Sequence, residues 1–142
     1  MGETTNTTDT KLTSRQADAR LHTLLWPEQK VQWLDHRFGP GDTRKAPVYF
    51  NIPSSWWWDV PEYWETWAGA GLVIDRMREL GWRLSEMREL PTGNKSAVFM
   101  QPEAGAWFWR EFEGTADDFP AAVAAAAEAA LNAGKGETDG II

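Results

Sequence analysis

The chain has 142 residues, a formal net charge of −7 (14 Lys and Arg against 21 Asp and Glu), no cysteine and ten tryptophans. That length predicts one ordinary domain, able to bury about 70% of the surface its unfolded chain exposes without a disulfide or metal staple. The lack of cysteine excludes thiol nucleophiles, thiolate metal sites and disulfides, and the acidic balance without a Lys/Arg cluster argues against a nucleic-acid polymer.

No leading basic-plus-apolar segment suggests a signal peptide. The longest apolar run, the alanine-rich stretch over 121–127, is far short of the ~20 residues that span a bilayer. A soluble, intracellular protein is therefore expected.

Residues 1–13, MGETTNTTDTKLT, carry too little apolar area to offset their ordering entropy and read as a disordered tail. A single domain is expected over 14–134, followed by a flexible tail over 135–142. Ser14 can cap a first helix running to Trp26, with Ala17, Leu21, Leu24 and Leu25 on one side and Pro27 ending it. Residues 28–36 are ambiguous, with Val31, Trp33 and Leu34 covering a core edge. From Arg37 to Val60 the spacing predicts a long, Trp-rich connection broken by Gly39-Pro40-Gly41, Pro47 and Pro53, with VYFNI at 48–52 as a short strand.

Pro61 suits the first turn of a second helix, and Gly81 its exit. Trp67, Leu72, Ile74, Met77 and Leu80 supply its apolar side. Then WRLSEMREL (82–90), KSAVFMQ (95–101) and AWFWREFEG (106–114), joined by PTGN and PEAG turns, read as three antiparallel strands. Asp118 caps a last helix with Pro120 in its first turn; nine of residues 121–133 are alanine, so this helix can lie very close to a sheet. AVFM and AWFW are apolar at odd and even positions alike, so both faces of the sheet require cover. The expected fold is α+β: a three-layer α-β-α sandwich with one central three-stranded antiparallel sheet, in the order α, long loop, α-β-β-β-α.

The run YWETWAGAGLVIDRMRELGW, Tyr63 to Trp82, with its Arg76-Met77-Arg78-Glu79-Leu80-Gly81-Trp82 exit, resembles the helix of the bacteriophage ABA-sandwich domain family. Ala106-Trp107-Phe108 looks like that family's strand before a variable acidic loop, and Phe119 to Ala133 like its closing alanine-rich helix. The likeness covers roughly residues 15–133 and is structural rather than catalytic. It implies phage or prophage origin and a place in the host bacterial cytoplasm; it brings no active-site residues. Trp64 stands where the family tends to have a small capping residue, and SSWWWDV (54–60) is more aromatic than usual.

No catalytic constellation emerges. His22 and His36 are fourteen apart with no ligand at metal spacing; His22 reads as a surface or boundary residue, and Asp35-His36-Arg37 as solvated loop charge. Ser54 and Ser55 lack a G-x-S-x-G elbow and read as turn residues. Gly39-Pro40-Gly41 is a turn and Gly69-Ala70-Gly71 lies inside a helix, so neither is a phosphate loop. Asp117-Asp118 and Glu111/Glu113 are explained by a helix start and an exposed strand end. A non-enzyme without cofactor or metal is expected.

The tryptophans remain. Trp67, Trp82 and either Trp107 or Trp109 are expected in the core, with Trp26 and Trp33 closing the first helix onto the sheet. Trp56, Trp57, Trp58 and Trp64, with Tyr63, form either a small core under a long loop or a recognition surface. Consecutive residues cannot all point into one core. Indoles suit protein hot spots and also stack on nucleobases or sugars, while Arg37, Arg44 and Lys45 could meet phosphate. The leading expectation is a phage accessory protein that inhibits a host defence protein through this surface. The alternatives are sequestration of a nucleotide-derived immune signal, a carbohydrate-binding module and a structural virion part; self-association is also credible.

Overall fold

A computed structural model describes residues 7–51, 53–102 and 109–140. The chain divides into two compact units, Met1–Glu62 and Tyr63–Ile142. The first unit contains α1 (Thr7–Leu25), β1 (Val31–Gly39), β2 (Asp42–Asn51) and β3 (Trp56–Asp59); the second contains α2 (Trp67–Glu79), β4 (Arg83–Glu89), β5 (Lys95–Pro102), β6 (Trp109–Ala116) and α3 (Phe119–Gly140). Among the described residues there are two separate three-stranded antiparallel sheets, β1-β2-β3 and β4-β5-β6. This corrects the expected three-layer sandwich: the class is α+β, but no single central sheet is flanked by helices. The three-layer fold expected from the apolar pattern of the last strands is not formed.

The 37–60 stretch is likewise not one long loop. β1 and β2 form a hairpin about Pro40-Gly41, where Gly41 takes a left-handed φ of 73°. Pro47 lies in the middle of β2, a central strand, where a missing N–H normally breaks the ladder. Here its carbonyl accepts a hydrogen bond from Val60 N (3.1 Å), one residue beyond the end of β3. The position that would need the proline's own N–H thus lies where the neighbouring strand has already stopped.

On α1, Leu21 and Leu25 are buried, and so are the polar Asp18 and His22. Asp18 pairs with Arg15 (2.7 Å), whose guanidinium also donates to the Val60 and Pro61 carbonyls. The helix therefore holds the chain where it leaves β3. His22, expected at the surface or its boundary, is 1% exposed. It sits 5.0 Å from the Trp26 ring and 4.3 Å from the Tyr49 ring on β2, with Nε2 2.6 Å from Gln29 Oε1. α1 begins at Thr7 and α3 ends at Gly140, each inside a stretch expected as a tail; once a helix is nucleated, each further residue costs little to add.

Burial depresses the His22 pKa below its ordinary 6.5, offset in part by the Gln29 hydrogen bond and the nearby Glu28 carboxylate. A depressed folded-state pKa means that the unfolded chain takes up the proton first. His22 thus contributes stability that is fully present above about pH 6.5 and lost as pH falls below it toward the folded value. Urea unfolding at pH 7.5 and 5.5 should show wild type losing stability over this interval, and His22→Gln losing less. An equal loss in both would mean that His22 carries none of the pH dependence.

In the second unit, α2 starts later than Pro61. Thr66 is the N-cap, with an extended φ/ψ of −122°/150°, and its side chain accepts from Gly69 N at 2.9 Å. The buried side of α2 is Gly69, Ala70, Val73 and Met77. Trp67, Leu72 and Leu80, assigned to the apolar side from the sequence, are exposed instead, Trp67 by 61%. α2 packs on α3 and β4, and small residues allow two helices to approach closely. The last helix is capped as expected: Asp118 Oδ1 accepts from Ala121 N at 2.9 Å.

α3 packs on β5 and β6. Ala97 and Phe99 of β5 are fully buried and pair with Gly114 and Phe112 of β6 on the face under α3. The opposite face does not match the expectation of a second apolar layer. Its Ser96, Val98 and Met100 pair with Thr115, Glu113 and Glu111, and the Ser96 hydroxyl donates to the Glu113 carboxylate. Trp82 is buried as expected, edge-on to Phe112 at 5.6 Å. Trp107 lies outside the described residues. Among the described residues no helix is long and apolar enough to cross a membrane.

Candidate functional site

Asn51 and Trp56 pair across the turn that joins β2 to β3. Asn51 Oδ1 accepts from Ser54 N (3.0 Å) and its carbonyl from Ser55 N (2.8 Å), while Ser55 adopts a left-handed φ of 55°. Ser54 and Ser55 are turn residues, as the sequence predicts. Ser54 also anchors an indole, its Oγ accepting from Trp58 Nε1 at 3.0 Å.

β3 is a strand, so its side chains alternate. Trp57 turns toward Phe50, its cross-strand partner, with the rings edge-on at 5.3 Å and 67°. Trp56 and Trp58 share the other face, about 7 Å apart along the strand, and are 71% and 50% exposed. Tyr49, opposite Trp58, is held by His22. The two outward indoles therefore stand on a braced base: one hydrogen-bonded to the turn, both backed by β2.

Among the other expected site residues, Arg44 and Lys45 lie apart from them on the same sheet. Tyr63 is 1% exposed, a core residue of the second unit, and cannot contact a partner. Trp64 is half-buried and also belongs to the second unit. The cations lie toward the far end of the first hairpin. Lys45 and Arg44 are four and five residues along β2 from Tyr49, about 13–17 Å at strand rise. Lys45 Nζ is 3.1 Å from Asp35, its cross-strand partner, and Arg44 Nε is 3.1 Å from Asp42. Arg37, paired with Thr43, is farther still along the ladder. Arg44 and Lys45 are thus both remote from the exposed indoles along the sheet and paired with aspartates.

Sequence reasoning missed the buried Arg15–Asp18 pair and the His22–Tyr49 contact that support the strand. Their signal is present in the polar Arg15, Asp18 and His22 at helical spacing on one side of α1. Among the described residues no three His, Asp or Glu side chains converge as metal ligands.

Fold and site together define an α+β protein of two sheet-bearing units with a short aromatic edge strand. Comparison with protein-family models, curated proteins and solved structures finds no match to this chain.

Proposed function

We propose that the protein is a binding module that engages a protein partner through Trp56 and Trp58 on β3. The observation that carries this reading is the exposure of two large indoles side by side on one strand face, while Trp57 between them is half-buried against Phe50 on the other. Left to folding alone, exposed indoles contribute little. On a partner, each buries a large area at small conformational cost. The ion-paired, remote cations weigh against a nucleotide ligand. The partner in this reading is a host bacterial protein, inhibited on binding; its support is the sequence likeness of the Tyr63–Trp82 run to a phage family, not the fold.

The test compares wild type with the double variant Trp56→Ala/Trp58→Ala. The expected result is a melting temperature within a few degrees of wild type together with loss of the partner that wild type captures. A double variant that melts far lower, or still captures the same partner, would contradict the proposal.

A further inference from the structure

Building on the reading of β3 as a protein-binding edge, we infer that the partner adds a basic, extended segment to this edge as a fourth strand, with Arg or Lys over the Trp56 and Trp58 indoles. The first sheet ends at β3. The Val60 N to Pro47 O bond makes 47 and 60 a hydrogen-bonded pair. Alternation along an antiparallel ladder then makes 49/58 and 51/56 bonded pairs, and 48/59 and 50/57 non-bonded ones. Phe50 N donates to Lys30 O, away from β3, in agreement. The N–H and C=O groups of Trp57 and Asp59 consequently point to the open edge, a ready template for another strand.

Charge selects the occupant. Asp59 is exposed and has no ion-pair partner among the described residues. Arg44 and Lys45 of β2 are already paired with Asp42 and Asp35, and the whole chain carries −7. On an added antiparallel strand, the residues opposite Trp58 and Trp56 are two apart and lie on the indole face. Arg or Lys there meets the ring faces. The residue opposite Asp59 precedes them and places a third cation beside the carboxylate. The motif is thus three basic residues within four. A second copy of this chain fits poorly, because its own β3 offers a carboxylate and no cation.

The probe is a capped hexapeptide, Thr-Lys-Arg-Thr-Arg-Thr, titrated into the full chain and followed by amide NMR and hydrogen exchange. The expected result is shifted, exchange-protected amides at Trp57 and Asp59, with binding about tenfold tighter than for the same peptide carrying Glu at the basic positions. Asp59→Asn should weaken binding a few-fold. Asp59→Pro, tolerated on an edge strand, should abolish it. If Asp59→Pro lowers the melting temperature, the exchange readout on the unaltered chain decides. No response at millimolar peptide overturns the inference, as does equal binding of the Glu peptide. Shifted indole signals with unaltered Trp57 and Asp59 amides would also overturn it, while leaving the indole surface itself intact. So would a wild-type dimer that Asp59→Pro makes monomeric, since the occupant would then be a second copy.

Discussion

Gly114→Ala is expected to destabilise the protein by about 3 kcal/mol or more, at the upper end of overpacking costs. A Cβ at Gly114 would lie 2.2 Å from Ala126 N, 2.5 Å from Ala122 O and 2.8 Å from Ala125 C. All three are backbone atoms of α3, so no rotamer change can make room. The helix would have to lift off β6 and surrender its packing on Ala97 and Phe99. Trimming the neighbouring side chain should not help: Gly114→Ala combined with Ala126→Gly should remain as unstable as Gly114→Ala, because the clash is with main chain. Urea unfolding followed by far-UV circular dichroism measures this. A loss below about 1 kcal/mol, too small for overpacking against backbone, would mean that α3 sits farther from the sheet than described.

Arg15→Met should cost about 3 kcal/mol, the scale for breaking one side of a buried ion pair. The Asp18 side chain is fully buried, and the Arg15 guanidinium is 2.7 Å from it. Removing the guanidinium leaves the carboxylate in a poorly solvating site and strips the Val60 and Pro61 carbonyls of a donor. Part of the penalty comes from weakening the buried carboxylate's pairing, so Arg15→Met with Asp18→Leu should recover that part. Chemical denaturation of the single and double variants settles the point. A double variant no more stable than Arg15→Met would show that the pair's worth lies in the carbonyl contacts instead.

Legibility follows the strength of local signals. The hairpin between β4 and β5 is readable from Pro91-Thr92-Gly93-Asn94, where Gly93 takes a φ of 94° and Leu90 N bonds to Asn94 O at 2.7 Å. The last helix is readable from Asp118 and its alanines, and Gly114 shows how closely those alanines let it approach. The first sheet is not readable, because Pro47 argues against a central strand unless one knows that β3 stops beside it. Without β1 and β2 as strands, the remaining three look like the whole sheet and draw cover on both faces. Val98 and Met100 in fact share their face with Glu111, Glu113 and Thr115. α2 misleads for a related reason. Its large residues suggest the buried side, whereas close helix packing selects Gly69, Ala70, Val73 and Met77.

At the candidate site, three successive tryptophans do not share one environment, as their adjacency in sequence requires, and a strand supplies the alternation. Distance is what the sequence does not convey. Arg44 and Lys45 are close to the tryptophans in number, but an extended strand carries them away, and aspartates neutralise them. Tyr63 and Trp64 follow the tryptophans within a few residues and nonetheless fall in the second unit.

The most direct test is equilibrium urea unfolding of Trp56→Ala, Trp57→Ala and Trp58→Ala, side by side. Trp57→Ala should lose about 2 kcal/mol, as expected for truncating a half-buried aromatic. Trp56→Ala should stay within about 0.5 kcal/mol of wild type, and Trp58→Ala, which also gives up its bond to Ser54, within about 1 kcal/mol. That order would leave the outward indoles free for a partner. If Trp56→Ala and Trp58→Ala cost as much as Trp57→Ala, all three indoles would be core, and the edge of β3 would not be a binding surface.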